Sequence, residues 1–421
     1  MAVTLSFVGK ESAFAAATAI AAELCEEQGS HFYETTTFQA LQAETLKSHN
    51  VFLCGDNLQA LKTFVQLNAK FHVIYIDPPY NSGSRLTYTD SMSSERWLSM
   101  LYPRLLLAQK ILHEHGVMFL SIDDRESANL TVLMNEIFGI DNHIGTIKWR
   151  KKRKPSFLSK HISTVIEYIL IFAKNKDSLL KLQGAISTET SRPVLNASNG
   201  LTKRILRKGT EAKCSDGTYL KGTYRNRTLV LELLEDAHVL NGKLVADVEV
   251  QGQFRVSQEV LDKSVFITKK FGLRRCVEPE EQVMRHATDD GTVDWETNED
   301  AEEQLKDLFH GKKIFDFPKP VGLIKNLLKM YQAKDNELVT CLDFFAGSAT
   351  LAQAIYELNC EEKNKKYSFC CVQNEEKIKN NSNNSELKTI ADIAKERIKI
   401  VEERENISPK CQIYSETAGP Q

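Results

Sequence analysis

The sequence predicts a doubly wound α/β sheet that is built from both ends of the chain around a polar insert. Apolar runs of strand length alternate with apolar residues at helical spacing over 51–175, and this alternation returns over 319–402. Residues 177–312 between the two blocks are polar, show hairpin-type turn signals and lack strong helical periodicity. Because the two blocks flank the insert, we expect them to share one parallel sheet.

Each element of the two blocks follows from a local pattern. Runs of apolar residues predict buried strands at 71–76 (FHVIYI), 116–122 (GVMFLSI), 163–173 (STVIEYILIFA), 338–344 and 367–373. Apolar residues three and four positions apart predict helices at 58–65, 97–112, 130–137, 323–328, 350–358 and 390–398. Gly139 is expected to cap the third of these helices at its C-terminus.

The charge of the chain is balanced overall but divided locally. Lys and Arg number 54 against 56 Asp and Glu, which gives a net charge of −2. Residues 148–160 hold seven basic residues and no acid, whereas 289–303 hold eight acids and no base. Contact with a nucleic acid is therefore expected on a local patch and not as a property of the whole molecule.

The composition excludes several classes of protein. Hydrophobic residues make up 42% and charged residues 26%, as in soluble globular proteins and unlike disordered or collagen-like chains. The nine cysteines include no CxxC pair, and the apolar run at 13–22 is too short to span a bilayer. We expect a cytoplasmic protein with reduced thiols and no membrane span.

The tetrapeptide Asp77-Pro78-Pro79-Tyr80 directly follows the strand predicted at 71–76. Open α/β sheets bind ligands at the carboxyl ends of their parallel strands. The prolines fix the backbone and remove N–H donors, so the carbonyl groups are left as acceptors. Asp77 and the Pro78 carbonyl can therefore accept both N–H bonds of an exocyclic amine while Tyr80 stacks on its ring. The alternative is a turn that ends the strand and leaves a tyrosine at the surface.

A second ligand loop is expected after the strand at 338–344, in the segment LDFFAGSAT (342–350). Small residues let a ligand approach the backbone closely, and the following helix offers free N–H groups at its N-terminus. One glycine loop alone is a weak indication of a binding site. Here the tetrapeptide upstream strengthens the indication of a binding site.

Together the two loops make the chain resemble the amino-methylating DNA methyltransferases that use S-adenosyl-L-methionine. It is most similar to the beta-group adenine-specific enzymes, which include the modification (Mod) subunits of type III restriction–modification systems. Eight blocks occur in the family's order: GDNLQALK (55–62), DPPYNSG (77–83), WLSMLYPRLLLA (97–108), GVMFLSIDD (116–124), EYILIFAK (167–174), FDFPKP (315–320), DFFAGSAT (343–350) and VQNEE (372–376).

The resemblance implies a Rossmann-like methyltransferase sheet with a circularly permuted motif order and an inserted target recognition domain. It divides the chain into five parts. These are an N-terminal helical extension (1–50), the catalytic half of the methyltransferase domain (51–176), the target recognition domain (177–312), the cofactor-binding half (313–402) and a tail (403–421).

The resemblance also assigns residues to the cofactor. In the loop that begins with Asp343, the residues expected to hold the methionine end are Phe345, Ala346, Gly347 and Ser348. Lys319-Pro320 resembles the element that closes over this end, Glu375 matches the acidic residue for the ribose hydroxyls, and Asp56 lies in the element near the adenine. Ala349 stands where the family most often has glycine, so its methyl group would crowd the loop and weaken cofactor binding if φ is positive there.

The implied reaction is methylation of a base that is turned out of duplex DNA into a pocket beside Tyr80. Asp77 and the Pro78 carbonyl would draw on the amine hydrogens while the nitrogen attacks the methyl group in line. Aspartate at the first position of the tetrapeptide favours the N6 amine of adenine over the N4 amine of cytosine, where serine is commoner. Methylation at cytosine carbon 5 uses a cysteine in a Pro-Cys dipeptide, which the sequence lacks.

Two alternatives from other classes stay open at this point. The chain could be a specificity subunit that binds DNA and depends on a partner for methylation; Ala349 favours this view and the intact tetrapeptide opposes it. The same chemistry could act on RNA or on a glutamine side chain, but those families typically have asparagine in place of Asp77.

The partners expected are double-stranded DNA, a second copy of the chain and a restriction (nuclease or helicase) subunit. Type III Mod subunits are generally longer, so a solitary enzyme is also open.

Basic residues before the insert are the candidates for DNA contact, against the alternative of a solvated loop. They are Lys148, Arg150, Lys151, Lys152, Arg153 and Lys154. A second basic stretch at 203–227 lies inside the insert, and the acidic run at 289–303 is expected to face solvent or a protein partner.

Two further pairs of polar residues are given no catalytic role. His113 and His115 are expected at a surface helix end and not in a metal site, because the pattern supplies no third ligand. Asp123-Asp124 is expected to line the base pocket or to pack beside it. We therefore expect no metal site in this chain.

Overall fold

The computed structural model describes residues 4–17, 38, 41–82, 90–155, 161–186, 191–226, 229–277, 284–292, 295–334, 337–362, 366–378 and 387–416. The chain divides into two compact units. The first comprises Met1–Gly184 with His286–Gln421, and the second comprises Ala185–Arg285.

Nine α-helices and 22 strands are numbered here in chain order within the described residues. The helices are α1 (Ala43–Ser48), α2 (Asn57–Gln66), α3 (Ser94–Ile111), α4 (Ser127–Phe138), α5 (Gln258–Ser264), α6 (Asn298–Leu308), α7 (Val321–Met330), α8 (Thr350–Glu361) and α9 (Ile390–Arg404). The strands of the first unit are β1 (Val51–Cys54), β2 (Phe71–Ile76), β3 (Leu112–Ile122), β4 (His143–Arg150), β5 (Ile166–Ala173), β19 (Asp290–Gly291), β20 (Leu338–Asp343), β21 (Lys366–Gln373) and β22 (Gln412–Ser415).

The strands of the second unit are short. They are β7 (Ser191–Pro193), β8 (Thr202–Leu206), β9 (Glu211–Ala212), β10 (Gly217–Tyr219), β11 (Gly222–Asn226), β12 (Leu229–Leu233), β13 (Ala237–Leu240), β14 (Lys243–Leu244), β15 (Val248–Gly252), β16 (Val265–Ile267) and β17 (Leu273–Cys276). Strands β6 (Gln183–Ile186) and β18 (Met284–His286) form a separate two-stranded sheet.

The first unit is built on a nine-stranded sheet in the order β19-β4-β5-β3-β2-β20-β21-β1-β22. At its centre, β2 runs parallel to β3 on one side and to β20 on the other, where Val73 pairs with Cys341. The chain continues from β2 through α3 to β3, and from β20 through α8 to β21 on the opposite side. The winding therefore reverses between β2 and β20. Their carboxyl ends border the crevice where sheets of this kind bind ligands.

The two faces of this sheet bury separate apolar cores because side chains alternate along each strand. Val73 and Tyr75 of β2 enter one core, and Ile74 and Ile76 enter the other. Helices α6–α9 cover the first face and α1–α4 cover the second. This arrangement confirms the predicted doubly wound sheet that is assembled from both ends of the chain.

The second unit has its own apolar core and two sheets. One has seven strands in the order β10-β13-β14-β9-β16-β17-β7, and the other is antiparallel with four strands in the order β11-β12-β15-β8. Asn241 and Gly242 join β13 to β14 as a two-residue hairpin loop, and both have positive φ (52° and 69°). This is the tight hairpin that an Asn-Gly pair predicts.

The structure differs from the sequence-based prediction in strand direction and in one strand boundary. Strand β5 runs antiparallel to both β3 and β4, so the sheet is mixed on that side. A continuous apolar run indicates burial and carries no information on direction. Strand β3 begins at Leu112, which places His113 and His115 on a strand and not at a helix end. Both Ile111 and Leu112 are buried, so their hydrophobicity suits either element.

The second unit, 185–285, is narrower than the predicted insert of 177–312. Two elements between 286 and 312 belong to the first unit instead. Strand β19 pairs with β4 in the main sheet, and Leu305 and Leu308 of α6 enter its core. Within the described ranges, no helix is long and apolar enough to cross a bilayer. The same ranges contain no cluster of side chains suited to bind a metal ion.

Candidate active site

The Asp77-Pro78-Pro79-Tyr80 loop begins where β2 ends and is held from two sides. The indole N–H of Trp97 on α3 donates to the Pro79 carbonyl at 2.6 Å. Asn81 adopts a positive φ of 57°, and its backbone N–H donates to buried Asp90 at 2.7 Å. Its side-chain amide donates to buried Glu126 at 3.0 Å. These contacts fix the loop backbone on two sides.

Asp77 lies in a cluster of alternating charges. The Lys319 ammonium is 2.9 Å from Asp77 Oδ1 and 3.3 Å from Glu167 Oε2. The Tyr80 hydroxyl donates to the same two carboxylates, at 2.7 and 3.2 Å, and Lys151 reaches Glu167 at 3.1 Å. The Lys319 ammonium also lies 4.7 Å from the centre of the Tyr80 ring. Two acids and two lysines thus balance each other around one tyrosine.

The pKa values in this cluster follow from burial and from the paired charges. Burial raises the pKa of Asp77, and it outweighs the opposing effect of Lys319. Burial also acts to raise the pKa of Glu167, but Lys319 and Lys151 hold that pKa below its ordinary value. The pKa of Lys319 is raised because the carboxylates of Asp77 and Glu167 outweigh its desolvation. Glu167 and Lys319 are therefore both charged at neutral pH.

The small-residue loop begins where β20 ends, beside the Asp77 loop. Asp343 is buried and accepts the Phe345 backbone N–H at 3.0 Å, and burial raises its pKa to about 8. Gly347 has a φ of 54°, and its N–H donates to the Gln373 side chain at 2.7 Å. The space where a Cβ of residue 347 would project contains no atom closer than 3.5 Å. The atom at that distance belongs to the Phe315 ring, which would be in ordinary van der Waals contact with such a Cβ.

Both loops line one cavity of about 490 Å³ in the first unit. The predicted residues that line it are Asp56, Asp77, Pro78, Pro79, Tyr80, Asp123, Lys151, Lys152, Lys319, Asp343, Phe345, Ala346, Gly347 and Ser348. Residues that the sequence analysis did not single out complete the wall, among them Glu167, Phe315, Phe317 and Glu376. Its volume is that of an ordinary small-molecule site, for which about 300–1,000 Å³ is typical.

The three remaining cofactor candidates are Lys319, Pro320 and Glu375. Lys319 contacts Asp77, and Pro320 precedes α7 as its N-terminal cap residue. Glu375 is exposed and accepts the Cys54 thiol at 3.3 Å. Among the described residues, Glu376 lines the cavity while Pro320 and Glu375 do not.

Asp56 has a structural role at the rim of the cavity. Its carboxylate caps α2 by accepting the Leu58 N–H at 2.8 Å and lies 3.3 Å from the Arg104 guanidinium. Asn57 next to it donates to the Phe344 carbonyl at 2.6 Å. The start of α2 is thereby tied to the small-residue loop.

Ala349 occupies a left-handed backbone conformation, with φ 60° and ψ 44° directly before α8, and it is fully buried. Alanine is strained there and glycine is not, so the substitution Ala349→Gly is expected to raise the free energy of unfolding by about 1 kcal/mol. Chemical denaturation measures this change. Ala352→Gly, one turn into the same helix and equally buried, is the matched control and is expected to lower stability. A lower free energy of unfolding in Ala349→Gly would contradict the claim that Ala349 is strained.

The basic run before the insert is partly neutralised by acids. Lys148 pairs with Asp289, Arg153 with Asp300, and Lys151 with Glu167. Part of the acidic run at 289–303 thus faces these cations. Arg150 and Lys154 have exposed side chains, and Lys152 lines the cavity. The remaining residues of the predicted run, 156–160, lie outside the described part of the chain, as does Arg227 of the second basic stretch.

Glu167 and Arg397 support the site, and the sequence analysis did not single them out. Glu167 is the acid within the apolar run at 163–173. Arg397 stands on α9 at the spacing of the buried Ile390, Ala394 and Val401. A charged residue at a buried position needs a polar partner. A charged residue at a position that the pattern predicts to be buried was therefore the signal in the sequence, although it does not identify the polar partner.

Comparison with known proteins identifies the family of the chain. A family model described as DNA methylase (N6_N4_Mtase) matches residues 71–384. The type III restriction–modification enzyme StyLTI Mod subunit of Salmonella typhimurium (strain LT2) is 31% identical over 396 residues, which cover 85% of this chain and 57% of that protein. The EcoPI Mod subunit of Escherichia phage P1 is 31% identical over 420 residues, covering 86% and 63%. The chain thus spans less than two thirds of these relatives.

A solved structure, that of the M1.HpyAVI–SAM complex, is 13% identical to the chain, with a TM-score of 0.37. The alignment covers 82% of this chain and 98% of that one. The family match includes both cavity loops and extends over most of the sequence. On this match, the chain belongs to the DNA methylase (N6_N4_Mtase) family.

Proposed function

We propose that this chain transfers a methyl group from S-adenosyl-L-methionine to the N6 amine of a flipped-out adenine in duplex DNA, as the modification enzyme of a restriction–modification system. One observation carries the proposal: the Asp77 loop and the loop at 343–350 meet in one cavity at the crevice between β2 and β20. The names of the two Mod subunits support it.

The described residues suit the cofactor. Its methionine end would lie against Phe345, Ala346, Gly347 and Ser348, where Gly347 carries no side chain and α8 presents its N-terminus. Asp56 and Glu376 line the same cavity and would serve the adenosine end, with Glu375 next to Glu376. Bound there, the cofactor supplies an electrophilic methyl group on a sulfonium centre.

Asp77 and the Pro78 carbonyl would receive the target amine. A carboxylate has about four lone-pair sites, so Asp77 can accept an amine hydrogen while it keeps its bonds from Lys319 and Tyr80. The acceptors hold the amine with its lone pair directed at the methyl group. As the methyl group passes from sulfur to nitrogen and S-adenosylhomocysteine is left, the Asp77 carboxylate would take up the surplus proton from the nitrogen. Catalysis then comes from positioning and from fixed charges, without a covalent enzyme intermediate.

DNA binding is assigned to both units. Residues 185–285 include 17 basic and 13 acidic residues, a net charge of +4, whereas the rest of the chain is net negative. The polar second unit is therefore the candidate for target recognition. In the first unit, Arg150, Lys152 and Lys154 are the candidates for phosphate contact, because Lys148, Lys151 and Arg153 have acid partners.

The double substitution Arg150→Ala with Lys154→Ala is expected to weaken DNA binding by about tenfold at moderate salt. The plot of log affinity against log salt concentration should also become less steep, its negative slope shrinking in magnitude by about 2. The reason is that each phosphate contact releases about one counterion. Fluorescence anisotropy with a labelled duplex measures both quantities. Lys148→Ala, which removes a cation paired with Asp289, is the control with a smaller expected effect. An unchanged salt slope in the double variant would remove these residues from the interface.

The proposed function is tested with labelled cofactor and unmethylated genomic DNA. After the reaction, the DNA is digested to nucleosides and these are separated. Label in N6-methyladenine is the expected result. Label in N4-methylcytosine would keep the mechanism and overturn the base assignment. If no label appears although the cofactor binds, the methylation depends on a partner; if no cofactor binds, a specificity subunit is favoured.

We also propose that the chain forms a homodimer and acts beside a restriction subunit. The homodimer rests on resemblance to beta-group enzymes, and the second partner rests on the names of the two Mod subunits. Light scattering coupled to size-exclusion chromatography tests the first proposal. A mass near 95 kDa, about twice the 47.7 kDa of the chain, is expected, and a mass near that of one chain would contradict it.

A further inference from the structure

Arg397 is a fully buried cation directly behind the small-residue loop. It lies on α9 and is 2% exposed. Its guanidinium donates to the Ser348 hydroxyl at 2.9 Å, to the Ser348 carbonyl at 3.2 Å and to the Thr350 hydroxyl at 2.9 Å. Its Nε donates to the side-chain amide oxygen (Oε1) of Gln353 at 2.8 Å. All of these acceptors are neutral.

No carboxylate within the described part of the chain forms an ion pair with Arg397. The nearest acid in the network is Glu357, which is reached through Gln353, and Glu357 is already bound by Lys325 at 3.2 Å and by Arg404 at 2.8 Å. A buried arginine without an anionic partner is rare because desolvation of its charge is costly. Burial accordingly lowers the pKa of Arg397 to about 9, so the group still carries its charge at neutral pH.

The position of this charge relates it to the cavity. Ser348 and Thr350 line the cavity and flank Ala349, whose left-handed conformation is strained. One nitrogen of Arg397 bonds both flanking residues and so holds the strained turn in place. The same loop leads into the N-terminus of α8, where the helix dipole is positive. The charge of Arg397 and the dipole of α8 therefore both contribute a positive electrostatic potential on the cavity side of the loop.

We infer that Arg397 is a positioning residue that makes this loop selective for the carboxylate of the cofactor's amino-acid end. The inference rests on the proposed function, in which S-adenosyl-L-methionine occupies this cavity. Arg397 does not itself line the cavity among the described residues, so it acts through Ser348, Thr350 and the field at the start of α8. The cofactor's carboxylate is the anion that would compensate the buried charge.

The test compares two unreactive ligands by isothermal titration calorimetry on the full chain. One is S-adenosylhomocysteine, which carries the carboxylate; the other is its decarboxylated analogue, S-adenosyl-3-thiopropylamine, which keeps the amine, the sulfur and the adenosine. The native protein is expected to prefer the first ligand. In Arg397→Gln, the affinity for S-adenosylhomocysteine should fall by about tenfold while that for the analogue changes by less than about threefold.

Two further variants separate charge from packing. Arg397→Lys keeps the charge and is expected to keep the ligand preference even if both affinities fall, so it decides the question should Arg397→Gln not fold. Lys399→Gln removes an exposed cation of the same helix and is expected to leave both affinities unchanged. Equal losses for both ligands in Arg397→Gln, or loss of the preference in Arg397→Lys, would overturn the inference. Failure of the native protein to bind S-adenosylhomocysteine would instead contradict the proposed function.

Discussion

Replacing Asp77 with alanine is expected to lower the rate of methyl transfer by about 10³-fold or more while S-adenosylhomocysteine still binds. In the proposed mechanism, the carboxylate of Asp77 both orients the target amine and takes up its proton. The Glu167 carboxylate is held by Lys319, Lys151 and Tyr80. Single-turnover transfer from labelled cofactor measures the rate, and calorimetry measures ligand binding.

Asp77→Asn distinguishes position from charge in the same assay. It keeps an acceptor oxygen but cannot take up the proton, so a loss close to that of Asp77→Ala is expected. Asp141→Ala, an exposed acid elsewhere in the first unit, is the control and should retain full activity. Asp77→Ala retaining more than about one tenth of the native rate would show that the chemistry lies elsewhere.

Lys319→Met and Glu167→Gln are expected to shift the acidic limb of the pH–rate profile in opposite directions. In the proposed mechanism, Asp77 must be ionised to accept the amine hydrogens, so the rate is expected to fall as the pH falls through the pKa of Asp77. Lys319 lowers the pKa of Asp77 and Glu167 raises it. Removing Lys319 therefore moves the limb to higher pH, and neutralising Glu167 moves it to lower pH. The other groups that act on this cluster are Tyr75, Tyr80, Asp123, Lys151 and Asp343.

Lys319→Met is also expected to change stability and the transfer rate at neutral pH. Lys319→Met leaves the buried carboxylate of Glu167 and the half-buried one of Asp77 without their shared cation, so it should lower stability by about 3 kcal/mol and the rate at neutral pH by about 10–100-fold. Thermal unfolding and transfer rates across pH measure these changes. Glu402→Gln is the matched control: Glu402 is buried and accepts the Tyr356 hydroxyl, away from the cavity, so it should not shift the profile. Shifts of the same sign in both cluster variants would contradict the electrostatic account.

Much of the fold was predictable because its local patterns are strong. The strand at 71–76 and the helix at 350–358 are continuous apolar or periodic segments, and each lies where it was expected. The order of the two ligand loops, together with the carboxyl-end rule for parallel strands, predicts that Asp77 and Gly347 face one crevice. The family most often has glycine at position 349, which suits a positive φ, and Ala349 has a positive φ in the structure.

The contacts that depend on distant parts of the chain were not predictable. Strand β5 resembles any buried strand in its composition, and its antiparallel direction follows from the connection through β4. Lys319 forms ion pairs with Asp77 and Glu167, which are far away in sequence, and no local pattern predicts these partners. Glu167 and Arg397 are recognisable as charges at buried positions, yet their partners come from residues far away in sequence.

The central claim is that one cavity holds the cofactor beside Asp77, and photochemical labelling tests it most directly. S-adenosyl-L-methionine with a labelled methyl group is cross-linked to the protein by ultraviolet light, and the labelled peptides are mapped by mass spectrometry. The label is expected in peptides that contain Tyr80, Phe315–Phe317 or Phe344–Phe345, and excess S-adenosylhomocysteine should abolish it. Label that maps to residues 185–285 and competes with S-adenosylhomocysteine would contradict the account.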